Sequence, residues 1–554
     1  MARKDHIVMR VEGMTCDGCA RHVTEALKST KGVEEAQVGS WRSGQAVVIA
    51  ESSVDEKDLM KAVKKAGYRA IVTERRGLDA ERKVPPSDGA EYDLMIIGGG
   101  SAAFAGAIKA AELGAKVAII ESGTIGGTCV NVGCVPSKTL IRAAEDCYKR
   151  SYHDFEGPTI CPQPEDWPRI VQMKDELVAE LRREKYINVA NVYPNISIIQ
   201  GEARLTGERS LSMNGKSYTP GKILIATGSL PSAPPIAGLQ ESGFLDSTDA
   251  LSLPELPESI MVVGGGAIGL EFAQLFARFG VRVMLFEGLR HLAPLEEPEI
   301  GEALKNYLEA EKVQVCTDIV IDRVERREGL YHLHGHVGKE EVSCSAAQLL
   351  MATGRRPNTD RLHLDVAGVK IGKRGEIIVN EQLQTLNPNI YAAGDVIGDP
   401  MFVYVTAYAG ALAAENALNN SGRVYDLLAL PRVTFTDPQI ASVGLTEAQA
   451  REKGFDVKTS TIHAKDVPRA IAARDTRGLI KLVADGESGR LLGAHVLAVE
   501  AGDVIQEATL AIRFNLTYKD LIETFHPYLT WVEGIKLAAI TFEKDVHQLS
   551  CCAA

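Results

Sequence analysis

Six of the ten cysteines in this chain fall into three close pairs: Cys16/Cys19, Cys129/Cys134 and Cys551/Cys552. Thiolates are soft ligands and nucleophiles, so such pairs can grip a soft cation or act in redox chemistry. Cys16 and Cys19, in "GMTCDGCA", flank a turn leading into a helix. A helix N-terminus lowers a thiol pKa, and two thiolates there can hold a metal ion, with Met14 packed inside to shape the loop. Cys551 and Cys552 stand in the closing "HQLSCCAA". Adjacent Cα atoms lie about 3.8 Å apart across a trans peptide, so a bridge between these two would be strained and easily reduced. Cys129 and Cys134 lie in "GGTCVNVGCVPSKTL", where Pro136 predicts a helix starting near Cys134. Cys147, Cys161, Cys316 and Cys344 are scattered and read as small buried hydrophobes.

Two further stretches are built to hold dinucleotides. "YDLMIIGGGSAAFAGAIKAAELGAKVAIIES" runs from a buried strand through Gly98, Gly100 and Ala103 into a helix, then a second strand ending at Glu121. The glycines let the backbone approach a pyrophosphate at the helix N-terminus, and Glu121 suits the ribose hydroxyls of an adenosine. "SIMVVGGGAIGLEFAQLFARFGVRVMLFE" repeats the plan with Gly264, Gly266, Gly269 and Glu287. Two such sites in one chain mean a flavin and a nicotinamide. A carboxylate at Glu287 favours NADH by accepting from free ribose hydroxyls and repelling a 2′-phosphate, while Arg290 reads either as a partner for a 2′-phosphate that offsets the repulsion or as a solvated surface charge.

The chain of 554 residues is too long for one core. Hydrophobic residues at 45% and charged residues at 24% suit a soluble globular protein, and a net charge of −12 argues against a nucleic-acid partner. No apolar signal core or membrane span is legible, which makes a cytoplasmic location the expectation and cysteines more suited to metal or redox work than to structural bridges. Residues 1–73 show a β-α-β-β-α-β order with ferredoxin-like patterning. Residues 74–90 are charged and Pro/Gly-containing, a linker reaching about 20 Å as a flexible coil. An α/β region follows: an FAD-binding domain over 91–238 continued at 359–428, and an NAD(P)-binding domain over 239–358. Residues 429–554 change texture and are assigned to an α+β dimerisation domain with the Cys-Cys tail. The fold class is therefore α/β, with two Rossmann-like domains and an α+β domain preceded by the small metal-binding module.

The first module resembles the heavy-metal-associated domains of copper chaperones and metal pumps. "GGTCVNVGCVPSKTL", following a flavin-type fingerprint, closely resembles the redox-active disulfide of the flavin disulfide reductases. That resemblance implies that Cys134 contacts the flavin, that Cys129 is the outer exchanging thiol, and that Lys138 and Glu271 form an ion pair beside the flavin ring. It also places Gly127 and Thr128 of the same motif, Thr227 and Gly228 of "LIATGS", Gly354 of "LMATGR" and Asp395 of "NIYAAGDVIG" at the cofactors. A disulfide substrate would call for an acid–base histidine with a glutamate five residues on. In "FHPYLTWVEG" His526 is present, but Trp531 takes the glutamate position and Glu533 lies two places too far. His526 is accordingly read as structural. The whole chain is similar to the mercuric reductases, with Tyr528 replacing a threonine and a terminal Cys-Cys. The resemblance implies a homodimer using FAD and NAD(P)H, typically NADPH, and active sites shared across the interface. The Cys551/Cys552 tail of one subunit would bind Hg(II) and pass it to Cys129 and Cys134 of the other, with Tyr186 and Tyr528 near the metal. Thiol-bound Hg(II) and upstream mercury carriers are the implied partners. The rival readings are a dihydrolipoamide- or glutathione-type reductase, and a metal-sequestering chaperone.

Overall fold

The structure, a computed structural model, describes residues 4–38, 41, 44–77, 89–151 and 166–548. Cys161, Cys551, Cys552 and most of the expected linker lie outside the described residues.

The first module is the expected ferredoxin-like unit. Its antiparallel sheet has the order Val33–Val38, Gln45–Glu51, Lys4–Glu12, Arg69–Gly77. The helix Asp17–Lys28 buries Ala20, Val23 and Leu27 at helical spacing, and the helix Glu56–Lys65 buries Leu59 and Val63 behind an Asp55 cap. The last strand runs to Gly77, into the stretch expected to be linker. Arg75 is the reason. Its Nε lies 2.6 Å from the Asp5 carboxylate, and its guanidinium donates to the Ser52 and Val54 carbonyls at 2.9 and 2.8 Å. A charge-rich sequence thus hides a strand that is fixed by pairing.

The chain divides into two compact units. One holds, besides the module, a parallel sheet in the order Ile390–Ala392, Lys222–Ile225, Leu94–Ile97, Val117–Glu121, Ile196–Gln200. Its strands are continuous apolar runs, as a sheet covered on both faces requires. The helix Ser101–Glu112 presses against the helix Val403–Asn419 so closely that a Cβ on Gly410 would sit 2.0 Å from the Ala102 carbonyl oxygen.

The second unit holds the expected nicotinamide and dimerisation segments together with the helix Cys134–Ser151. A parallel sheet has the order Gln314–Cys316, Arg282–Phe286, Ser259–Val263, Gln348–Met351. A five-stranded antiparallel sheet follows the order Arg432–Thr434, Gln439–Gly444, Leu491–Ala498, Leu479–Asp485, Val457–His463. One apolar cluster joins these parts: Leu140 and Trp167 pack with Leu270, Phe276, Ile440 and Leu497. A polar stripe on the helix Ala267–Arg278 reinforces it. Glu271, Gln274 and Arg278 recur at helical spacing and bind the chain at 435–437. Among the described residues no helix is long and apolar enough to cross a membrane.

Candidate active site

The two fingerprints adopt the same local geometry. Gly98 has φ +114° and Gly264 φ +115°, a region L side chains rarely enter. A Cβ on Gly98 would stand 2.2 Å from the Ala226 carbonyl oxygen, and one on Gly264 2.5 Å from that of Ala352. Each helix opens at an extended glycine, Gly100 or Gly266, with no side-chain cap, so its first N–H groups are open to a phosphate. Ala103 is buried in the first helix, and a side chain on Gly269 in the second would meet the Gly264 carbonyl oxygen at 1.8 Å.

The two acidic residues are fixed alike. Glu121 accepts from the Gly99 and Gly123 N–H groups at 2.7 and 2.6 Å, and Glu287 from Gly265 and Leu289 at 2.5 and 2.8 Å. Main-chain donors thus aim each carboxylate and leave it further lone pairs for ribose hydroxyls. Arg290 is exposed. A Cβ on Gly127 would lie 2.6 Å from the Gly100 Cα, so backbone meets backbone beside the first fingerprint. Thr128, the next residue, is exposed. Asp395 accepts from Ser229 Oγ at 2.7 Å and Thr406 Oγ1 at 3.1 Å, while Thr227 Oγ1 donates to the Asn358 carbonyl at 2.7 Å. Gly228 and Gly354 both have positive φ. These cradles, which any Cβ would fill, fit two dinucleotides.

Cys129 lies in the short helix Gly127–Val132, and Cys134 opens the helix Cys134–Ser151. Both thiols are half-buried. Lys138 follows one turn after Cys134, on the same helix face. Its Nζ lies 2.6 Å from Glu271 Oε2, with Glu271 almost wholly buried. The other Glu271 oxygen accepts from the Phe435 N–H at 2.9 Å, and the Lys138 ammonium sits 4.8 Å above the Phe435 ring. Sequence reading named Lys138 and Glu271 and missed Phe435, which is 164 residues from Glu271 and carries no local signal.

Tyr186 belongs to a single π-helical turn, Arg183–Ile187. Its ring meets Phe104 edge-on at 4.9 Å, and its hydroxyl lies 3.5 Å from Ser101 Oγ at the start of the first fingerprint helix. Asn131, also missed, donates to the Ile125 and Gly127 carbonyls at 3.0 and 2.9 Å and accepts from Arg182 at 3.1 Å.

In the first module the Cys16 and Cys19 sulfurs are 3.3 Å apart, and Met14 is buried beneath them. The Tyr68 hydroxyl donates to Cys19, and with Thr15 this pulls the Cys19 thiol down to about 6. Cys19 is thus held as the thiolate a soft cation needs. Tyr68 was another residue without a spacing signal. Among the described residues no group of three or more His, Cys, Asp or Glu could hold a metal ion.

His526 requires a correction. The sequence offers it no glutamate, yet Glu507 of the helix Ala501–Arg513 lies 2.7 Å from its Nε2. Its Nδ1 stands 3.0 Å from the Thr524 carbonyl, to which Lys536 also donates at 3.1 Å. Both ring nitrogens therefore face acceptors, which suits an imidazolium. Only 3% of the side chain is accessible. These contacts, which the sequence did not reveal, clip His526 into the segment carrying the exposed Tyr528. Glu507 raises the His526 pKa. The stabilisation is then complete below about 6.5, the ordinary histidine value, and is lost as pH rises through the raised folded value. Glu507→Gln is expected to cost on the order of 1 kcal/mol at pH 6. The difference in Tm from the parent protein should close as pH rises, which thermal melts across that range will show.

Residues 92–410 match the family Pyridine nucleotide-disulphide oxidoreductase, 430–539 its dimerisation domain, and 8–69 the Heavy-metal-associated domain. The mercuric reductase of Staphylococcus aureus is 45% identical, over 98% of this chain and 98% of its own length. That of Streptomyces lividans is 49% identical over 83% of this chain and 98% of its own. Among solved structures, the HOCl-induced flavoprotein disulfide reductase RclA from Escherichia coli aligns with TM-score 0.72 and 32% identity, covering 81% of this chain and 99% of its own. Doubled fingerprints, the paired cysteines before Lys138 and full-length similarity agree: the chain belongs to the mercuric reductases of the pyridine nucleotide-disulphide oxidoreductase family.

Proposed function

We propose that this chain reduces Hg(II) to Hg(0) at Cys129 and Cys134, as a homodimer whose sites are completed across the interface. The balance is NAD(P)H + Hg(II) giving NAD(P)+, a proton and Hg(0). FAD, when bound, supplies the two-electron relay between the nicotinamide and the thiol pair. Gly98, Gly100, Ala103, Gly127, Thr128, Thr227, Gly228, Glu121 and Asp395 would hold FAD. Gly264, Gly266, Gly269, Gly354 and Glu287 would hold the nicotinamide dinucleotide. Cys134 is the inner thiol and Cys129 the outer, and Lys138, fixed by Glu271, places a positive charge one turn from Cys134. Cys551 and Cys552 would take Hg(II) from its thiol carriers and hand it to this pair, because adjacent sulfurs favour exchange over trapping. Tyr186 and Tyr528 are assigned beside that path. Cys16 and Cys19 would collect Hg(II) on a separate module, and the work is assigned to the cytoplasm.

The observation that favours a metal ion over a disulfide substrate is the clipped His526: with both nitrogens engaged, it has none free to serve a thiol leaving group. The test is NAD(P)H oxidation with Hg(II) in excess thiol, compared with lipoamide and oxidised glutathione. Turnover with a disulfide alone would overturn the reading. The oriented Glu287 leads to a second expectation: NADH should match or exceed NADPH in kcat/KM. An NADPH preference that survives Glu287→Gln and collapses in Arg290→Ala would assign ribose recognition to Arg290.

A further inference from the structure

Phe435 touches both members of the Lys138–Glu271 pair, through different parts of the residue. Its N–H donates to Glu271 Oε1 at 2.9 Å, while Glu271 Oε2 holds Lys138 at 2.6 Å. Its ring lies 4.8 Å below the Lys138 ammonium. The ammonium is thus bounded by a carboxylate and by the negative face of a ring. Phe435 does not owe its place to the core, since 36% of it stays accessible. Its backbone is held from elsewhere: the next residue but one, Asp437, donates its N–H to Gln274 Oε1 at 2.7 Å and accepts from Gln274 Nε2 at 2.9 Å. Arg278 Nη1 lies 3.0 Å from the Asp437 carboxylate. Glu271, Gln274 and Arg278 therefore act as a rail along one helix that sets where the Phe435 ring stands.

We propose that Phe435 is a positioning residue for Lys138, and that its ring sets how firmly the ammonium is held beside Glu271. The proposal rests on the assignment of Lys138 to the flavin made above. A fixed positive charge beside the flavin favours its reduced form. A side chain without a ring leaves the N–H to Glu271 intact and frees the ammonium on one side. A cation–ring contact of this kind corresponds to a roughly twofold to fivefold change in an equilibrium constant.

The experiment is the midpoint potential of the bound flavin, measured by dye equilibration in the holoenzyme. Phe435→Leu should lower it by about 10–20 mV, the same factor at 29.6 mV per tenfold for two electrons. Phe435→Met should do the same, in case the leucine variant fails to fold. Phe435→Tyr should restore the parent value, and KM for NAD(P)H should not change in any of them. Lys138→Met is the reference. If it shifts the potential while Phe435→Leu and Phe435→Met do not, the proposal is overturned. If Lys138→Met leaves the potential unchanged, the assignment of Lys138 to the flavin fails, and the proposal with it.

Discussion

Cys134→Ser should abolish NAD(P)H-driven reduction of Hg(II), a loss of at least roughly a thousandfold, while FAD stays bound. Cys134 opens the helix Cys134–Ser151, where the helix N-terminus favours negative charge, and Lys138 adds a cation one turn on. Serine keeps the shape and removes the sulfur, and only sulfur is both a soft ligand for Hg(II) and a carrier of the electron pair. The flavin cradle does not depend on it. Gly98 and Gly127 contribute backbone, and Asp395 is held by Ser229 and Thr406. Flavin content should therefore equal that of the parent protein, and steady-state NAD(P)H oxidation with Hg(II) should fall to background. A Cys134→Ser protein that still turns over Hg(II) would remove this thiol from the mechanism.

Gly98→Ala should yield protein nearly free of FAD and less stable by about 2–4 kcal/mol. At φ +114° alanine is strained whatever the space, and here there is none: its Cβ would lie 2.2 Å from the Ala226 carbonyl oxygen. Ala226 follows the interior strand Lys222–Ile225, which pairs with Leu94–Ile97, so relief requires moving the strand end that leads into Thr227 and Gly228. Gly264→Ala offers the matched control, with φ +115° and a 2.5 Å approach to Ala352 in the other unit. It should retain FAD and lose reduction by NAD(P)H. The ratio of flavin to protein, with a thermal melt, separates the two. A fully flavinated Gly98→Ala would show that the turn yields more easily than its geometry indicates.

The cradles were legible because their chemistry is local. A strand, three small residues and an acid 23 positions on lie within one β-α-β unit, and the structure adds the main-chain donors that aim the acids, Gly99 and Gly123 for one and Gly265 and Leu289 for the other. The ferredoxin-like order was legible from alternation and helical spacing for the same reason. What escaped the sequence depends on distant partners. Phe435 reaches Glu271 across 164 positions, and Glu507 reaches His526 across 19 from another helix. Tyr68 reaches Cys19 only because the fold returns the last turn of the module to the metal loop. The strand end at Arg75 failed for a related reason: a run of charges looks like linker until Asp5 and the Ser52 and Val54 carbonyls are brought beside it.

The most direct test of the central claim is the amount of Hg(0) released per NAD(P)H consumed by the full-length holoenzyme under nitrogen, with Hg(II) supplied as its complex with excess small thiol. One volatile mercury atom per nicotinamide oxidised is the predicted result. NAD(P)H oxidation that yields no Hg(0) would contradict the account, because the electrons would then be reaching something other than the metal.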